Sequence, residues 1–152
     1  MMPARGFTLV ELIVVMAVVG VLAAVVGPRM TENAPFSARA AGDAVASALR
    51  SAQRTAVAQR ATVYVQVVAA AGTVALCADA GCVNPITAPD GAATWAQAAS
   101  GLRFNADASF SVNAFGQPSF AAVYTVHVLY ADGSDSGRGA QMQPETGYVT
   151  AL

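Results

Sequence analysis

Lysine is absent from this chain: all eight basic residues are arginine, set against nine acids, for a formal net charge of −1. Charged residues make up only 11% of the sequence. That near-balance of sign excludes the cationic character that drives binding to nucleic acid or to an anionic membrane surface. Histidine occurs once and cysteine twice, so a four-ligand zinc site would have only Cys77, Cys82 and His127 to draw on. Nucleophile elbows, phosphate loops and paired carboxylates are missing as well. The sequence therefore predicts no enzyme, no metal, no cofactor and no small-molecule substrate.

What the chain has in quantity is apolar surface: 55% hydrophobic residues and a mean hydropathy of +0.50. Much of it lies at the start, where Gly6-Phe7-Thr8-Leu9-Val10-Glu11 leads into sixteen uncharged residues, Leu12 to Gly27. As a helix the stretch from Phe7 to Gly27 would be ~31 Å long, enough to cross the hydrocarbon core of a bilayer. A carboxylate at mid-membrane costs about 2.5–3.5 kcal/mol on insertion scales, so Glu11 asks for a function. A secretory signal cut near Val21-Leu22-Ala23 and a plain uncleaved anchor are the simpler readings, but Glu11 interrupts the start of the apolar region in both. The arginines do not decide orientation: Arg5 precedes the run, whereas Arg29 and Arg39 follow it.

The Gly-Phe-Thr-Leu-Val-Glu-Leu string resembles the N-terminal signal of type IV prepilins and type II secretion pseudopilins. The resemblance implies that prepilin peptidase cuts between Gly6 and Phe7 and that Phe7 is then N-methylated. It also implies that Glu11 acts in assembly by neutralising the Phe7 amine of a neighbouring subunit within the membrane. Such proteins carry a glycine and a proline between which the helix can melt in a filament; here these would be Gly20 and Pro28. The partners implied are the peptidase, other pilins or pseudopilins, and inner-membrane lipid. The expected location is the bacterial inner membrane, single-pass with a periplasmic C-terminal domain, and then a pilus or pseudopilus.

Beyond the apolar run, Pro28 and Pro35 each predict a kink or a break. From Ser37 to Arg60 a helical period returns, with Ala41, Val45, Ala48, Leu49, Ala52 and Ala56 on one stripe and Arg39, Asp43, Arg50 and Arg54 on an opposite, solvated face. The period then changes to two. Thr62–Val68 and Thr73–Cys77 read as a hairpin, and further strand signals fall at 102–104, 109–112, 118–120, 122–130, 139–143 and 148–151. Residues 83–100 read as a long loop with a short helix near Trp95. The expected organisation is a leader over 1–6, a transmembrane helix over 7–27, its continuation over 28–60 and a β-rich domain over 61–152. The fold class is α+β, type IV pilin-like: a long N-terminal transmembrane helix with a proline kink, packed on an antiparallel sheet domain.

Two downstream segments, Phe110 to Pro118 and Gln143 to Val149, are similar to parts of the GspH/FimT-type minor pilin domain, and the chain also resembles minor pilins of the mannose-sensitive haemagglutinin pilus. That likeness implies an assembly initiator at a filament tip. A pilus-tip DNA receptor is the alternative, disfavoured because no basic residue follows Arg138. Cys77 and Cys82 enclose four residues, so a disulfide across a turn is geometrically easy and would contribute roughly 2 kcal/mol; two free thiols are the other choice. His127 sits in an alternating strand as a structural residue. Asp132 and Asp135 lie in a Gly/Ser turn that suits either turn chemistry or Ca²⁺.

Overall fold

The computed structural model describes residues 9–29 and 34–152, with side chains of 22–29 outside the description. The chain divides into two compact units, residues 1–34 and 35–152. In the first, helix α1 spans Leu9–Arg29. Its large apolar side chains from Leu9 to Val21 are 50–76% exposed. Among the described residues no helix is long and apolar enough to cross a membrane, the side chains of α1 being described over 13 residues, Leu9 to Val21, about 20 Å of helix. Helix α1 is described to one residue past Pro28, and α2 (Ala34–Gln59) is described from one residue before Pro35. Proline in a first turn sacrifices an N–H that has no intrahelical partner anyway, so Pro35 starts α2 rather than breaking it.

The second unit is α+β, as expected. Eight strands follow α2: β1 (Val63–Val68), β2 (Thr73–Cys77), β3 (Thr94–Gln97), β4 (Leu102–Phe104), β5 (Ala108–Val112), β6 (Tyr124–Tyr130), β7 (Asp135–Met142) and β8 (Val149–Ala151). They form two four-stranded sheets, in orders β3-β2-β1-β5 and β4-β6-β7-β8, with every pairing antiparallel. In β1, Val63, Val65 and Val67 are buried while the alternate residues are not. That is the period-two pattern of a half-buried strand.

The whole predicted stripe of α2 is buried, together with Ala38, Gly42 and Ala46. It shares one core with Val74 and Leu76 of the first sheet and with Val126, Val128, Ala140 and Met142 of the second. Small side chains let the helix lie close to both. The approach is tightest at Gly42, where an added Cβ would lie 2.9 Å from the backbone nitrogen of Gly139. A Cβ on Gly139 would itself fall onto the Val126 carbonyl oxygen. The helix ends with Arg60 at a left-handed φ of 51°, and Ala61 N–H reaches back to the Ala56 carbonyl at 3.2 Å. Such a six-to-one bond closes many helix C-termini, usually on a glycine.

Three expectations need correcting. Trp95 lies in strand β3, not in a short helix. Its backbone joins the β2 edge across a bulge at Val74/Ala75, and its indole N–H donates to the Ile86 carbonyl at 2.6 Å. Pairing with a remote strand overrides a local sequence of weak period. Pro118 to Phe120 forms no strand; one isolated bridge joins Val112 to Pro118, and proline has no N–H with which to extend a ladder. Arg50 is not on a solvated face. It is half-buried, and its guanidinium donates to the Val149 carbonyl at 3.2 Å.

The Cys77–Cys82 disulfide is formed, with Cα atoms 5.1 Å apart. It closes a loop that Asp79 organises by accepting the N–H groups of Val83 (2.9 Å) and Asn84 (2.7 Å). Those backbone donors hold the Asp79 carboxyl below its usual range, so they favour the folded loop above that range and less so as acid protonates it. Gly139→Ala should destabilise the protein by at least about 1–3 kcal/mol, the usual cost of an overpacked core site. Urea unfolding of the detergent-solubilised chain measures this. Gly81→Ala is the control, because its backbone is not left-handed and the nearest atom to its Cβ position is 3.5 Å away.

Candidate functional site

Gly6 and Phe7, the expected processing site, lie outside the described residues. Glu11 stands in the first turn of α1, exposed. Around it α1 is apolar on every side, as a helix is when lipid or other helices are to cover it. Nothing lies within 4 Å of the Cβ position of Gly20, so packing within the monomer does not require glycine there. Between Gly20 and Pro28 the backbone of α1 is helical.

The structure brings together the two downstream segments on which the finer resemblance rests. Residues 113–117 form a closed turn. Asn113 Oδ1 accepts the N–H groups of Phe115 (2.9 Å) and Gln117 (3.0 Å), and Asn113 N–H donates to the Gln117 carbonyl at 2.9 Å. The β7–β8 turn lies against it: a Cβ on Gly147 would fall onto the Gly116 carbonyl oxygen. Both glycines need their conformations, with φ of 83° at Gly116 and 66° at Gly147. Gln53 of α2 holds the pair, its Nε2 donating to the Thr146 carbonyl at 2.8 Å and to the Gly116 carbonyl at 3.4 Å. The result is a fixed surface with Phe115 (85% exposed), Tyr148 (65%) and Val57 (48%) turned to solvent.

Sequence reasoning missed Gln53 and Gly42. The only signal for either was a residue of the wrong type for its neighbours: an amide beside the alanine stripe, and a glycine inside a helix. His127 is where the alternation placed it, on the outer face of β6, with Nδ1 3.0 Å from Asp135 Oδ2. Its β7 neighbour is Gly139, which leaves the ring room to reach Asp135. Asp132 Oδ1 accepts the N–H (2.9 Å) and hydroxyl (2.7 Å) of Ser134, which lowers its pKa. Asp135 Oδ1 accepts Gly137 N–H at 2.8 Å. The expected turn over 132–137 thus ends at Ser134: its chemistry occupies Asp132, while Asp135 opens β7 and is taken by Gly137 N–H and His127, and among the described residues no group of metal-ligating side chains forms.

Gln53→Ala should cost about 1–2 kcal/mol by removing two hydrogen bonds and leaving carbonyl oxygens to water. Protease nicking between Gln143 and Tyr148 should rise while the two sheets stay protected. Unchanged nicking would mean that the turns hold each other without Gln53.

Residues 1–27 match the prokaryotic N-terminal methylation motif. Over 58 residues the chain is 41% identical to the type IV narrow pilus major component PilA5 of Thermus thermophilus, an alignment covering 38% of this chain and half of that protein. The chain thus spans about half the length of the curated relative it matches. No solved structure matches it. Neither match is to an enzyme. The chain carries a prepilin-type methylation motif ahead of an α+β, pilin-like fold.

Proposed function

We propose that this chain is a structural subunit of a pilin-type filament, either a type IV pilus or a type II secretion pseudopilus. It is made as an inner-membrane precursor, cut after Gly6, methylated on Phe7 and assembled through α1. The observation that carries this reading is the methylation motif over residues 1–27 heading a helix whose large apolar side chains are exposed. Within the assembly, Glu11 pairs with the Phe7 amine of a neighbour. Two opposite charges that meet out of water stabilise each other only when both are present, so loss of one partner is costly.

Placement within the filament is a finer matter. The likeness of residues 110–118 and 143–149 to a GspH/FimT-type minor pilin supports a tip position, where the subunit would initiate assembly. The match to a major pilus component favours a second reading, a subunit repeated along the shaft. Copy number per filament, from quantitative mass spectrometry of sheared fibres, separates the two. A DNA-receptor role has less support: the C-terminal strand offers no cation, and Arg50 is engaged with the Val149 carbonyl.

Intact mass of the membrane-extracted protein should correspond to a chain starting at N-methylated Phe7; a start at Ala24 or at Met1 would refute the reading. Glu11→Ala should insert at least as well as the parent, because an acid is costly in lipid. Its incorporation into sheared filaments should nevertheless fall by tenfold or more at matched membrane levels. Glu11→Asp should be intermediate, its charge surviving on a shorter reach. Normal incorporation of Glu11→Ala would remove Glu11 from the assembly step.

A further inference from the structure

The second unit, residues 35–152, which in the proposed filament is the outer unit, carries an apolar projection at one end of α2 and an apolar hollow at the other. The projection is Phe115, 85% exposed. Its turn is closed by hydrogen bonds from Asn113 and fixed to α2 through Gln53, so its exposure is built in. The hollow is lined by Phe36, Ser37, Ala40, Ala44, Gln97 and Ala99 and has a volume of about 380 Å³. A cavity of roughly 150 Å³ already accepts a benzene ring, so this one holds a phenyl group with room to spare. Phe36, 77% exposed at its rim, offers an aromatic partner, and aromatic pairs gain beyond the area they bury.

One molecule cannot bring these two features together. Ala40 and Val57 are 17 residues apart on one helix, ~25 Å along its axis. The charges on the exposed surface follow the same division. Arg39 and Asp43 lie on α2 near the hollow, while Arg54, Arg60 and Glu145 lie nearer the projection, and all five are exposed. None of them makes an ion pair among the described residues. Each end therefore offers both signs to the other.

We propose that the outer units of successive copies dock head to tail, Phe115 of one copy entering the Phe36–Ala44–Ala99 hollow of the next. The occupant is a second copy of this chain. Complementary patches on opposite ends of one molecule make a heterologous contact, which propagates as an open chain instead of closing as a dimer. The inference rests on the second of those readings, a subunit repeated along the shaft, and deepens it by naming the surface that each copy presents to the next.

The test is cysteine cross-linking of the full-length chain in the producing cells, with the native Cys77–Cys82 disulfide kept. The double variant Gln117→Cys/Ala40→Cys, which keeps Phe115, should give a ladder of dimers and higher multimers on non-reducing gels, and neither single variant should. Adding Ala44→Arg, which fills the hollow, should reduce the ladder by tenfold or more. No ladder would overturn the docking. So would dimers from Gln117→Cys alone, which mean a two-fold contact, or cross-links to a different polypeptide. Presence of the chain in the sheared filament fraction is scored separately: chain in filaments without a ladder sinks the docking and leaves the filament reading intact. A chain missing from filaments sinks that reading whatever the ladder shows.

Discussion

The outer unit depends on how closely α2 can lie against two sheets at once. One helix shares a core with residues of both sheets, and its part of that core is mostly alanine, at 38, 41, 46, 48, 52 and 56, all nearly or fully buried. Larger side chains on that stripe would lift the helix away. At Gly42 even a methyl group would meet the Gly139 backbone, so the β7 contact is set by two residues without side chains. Because the helix lies so low, residues on its flank reach the loops around it. Arg50 finds the Val149 carbonyl and Gln53 finds two turns only from that height.

These two kinds of contact have different magnitudes and different roles. Each buried valine or leucine contributes about 1.5–3 kcal/mol relative to exposure, and the core holds many. A hydrogen bond contributes a net ~0.5–1.5 kcal/mol, and the flank has few. Apolar burial therefore determines that the unit folds. The polar ties determine where its turns sit, and so which way Phe115 and Tyr148 project. The rings of Phe110, Phe120 and Tyr124, with centroids 5.0–5.5 Å apart, fasten the β5–β6 connection in a similar way. Burial there pushes the Tyr124 hydroxyl up to about 12, which keeps it neutral at ordinary pH.

Where one periodicity dominates, the structure was legible in advance. The buried stripe of α2, the β1–β2 hairpin, the alternation that set His127 opposite the core and the Cys77–Cys82 pairing all follow from local rules. Strand β3 did not, because Thr94 to Gln97 has little pattern and exists by virtue of β2 beside it. Arg50 was misread for a related reason: the angle of a residue around a helix says which way it points, not whether a strand waits there. Gln53 and the two glycine turns were legible singly and not as a group. Only the fold shows that residues 63 and 93 positions away from Gln53 meet at its amide.

The two units divide the physics of the chain between them. The second builds its core from its own residues, and the described large apolar side chains of α1, Leu9 to Val21, are exposed. That surface is left for lipid and for other helices, as the proposed assembly requires. Apolar contact is non-directional, and lipid tails are as apolar as leucine, so such a helix sliding past its neighbours in a membrane has little to fix its position along them. A single polar group in an apolar seam is the best-attested device for fixing register, at a cost in stability. Glu11 is the one acid of α1. In the proposed assembly the value of Glu11 would lie less in the strength of the bond it makes than in the single register at which that bond could form.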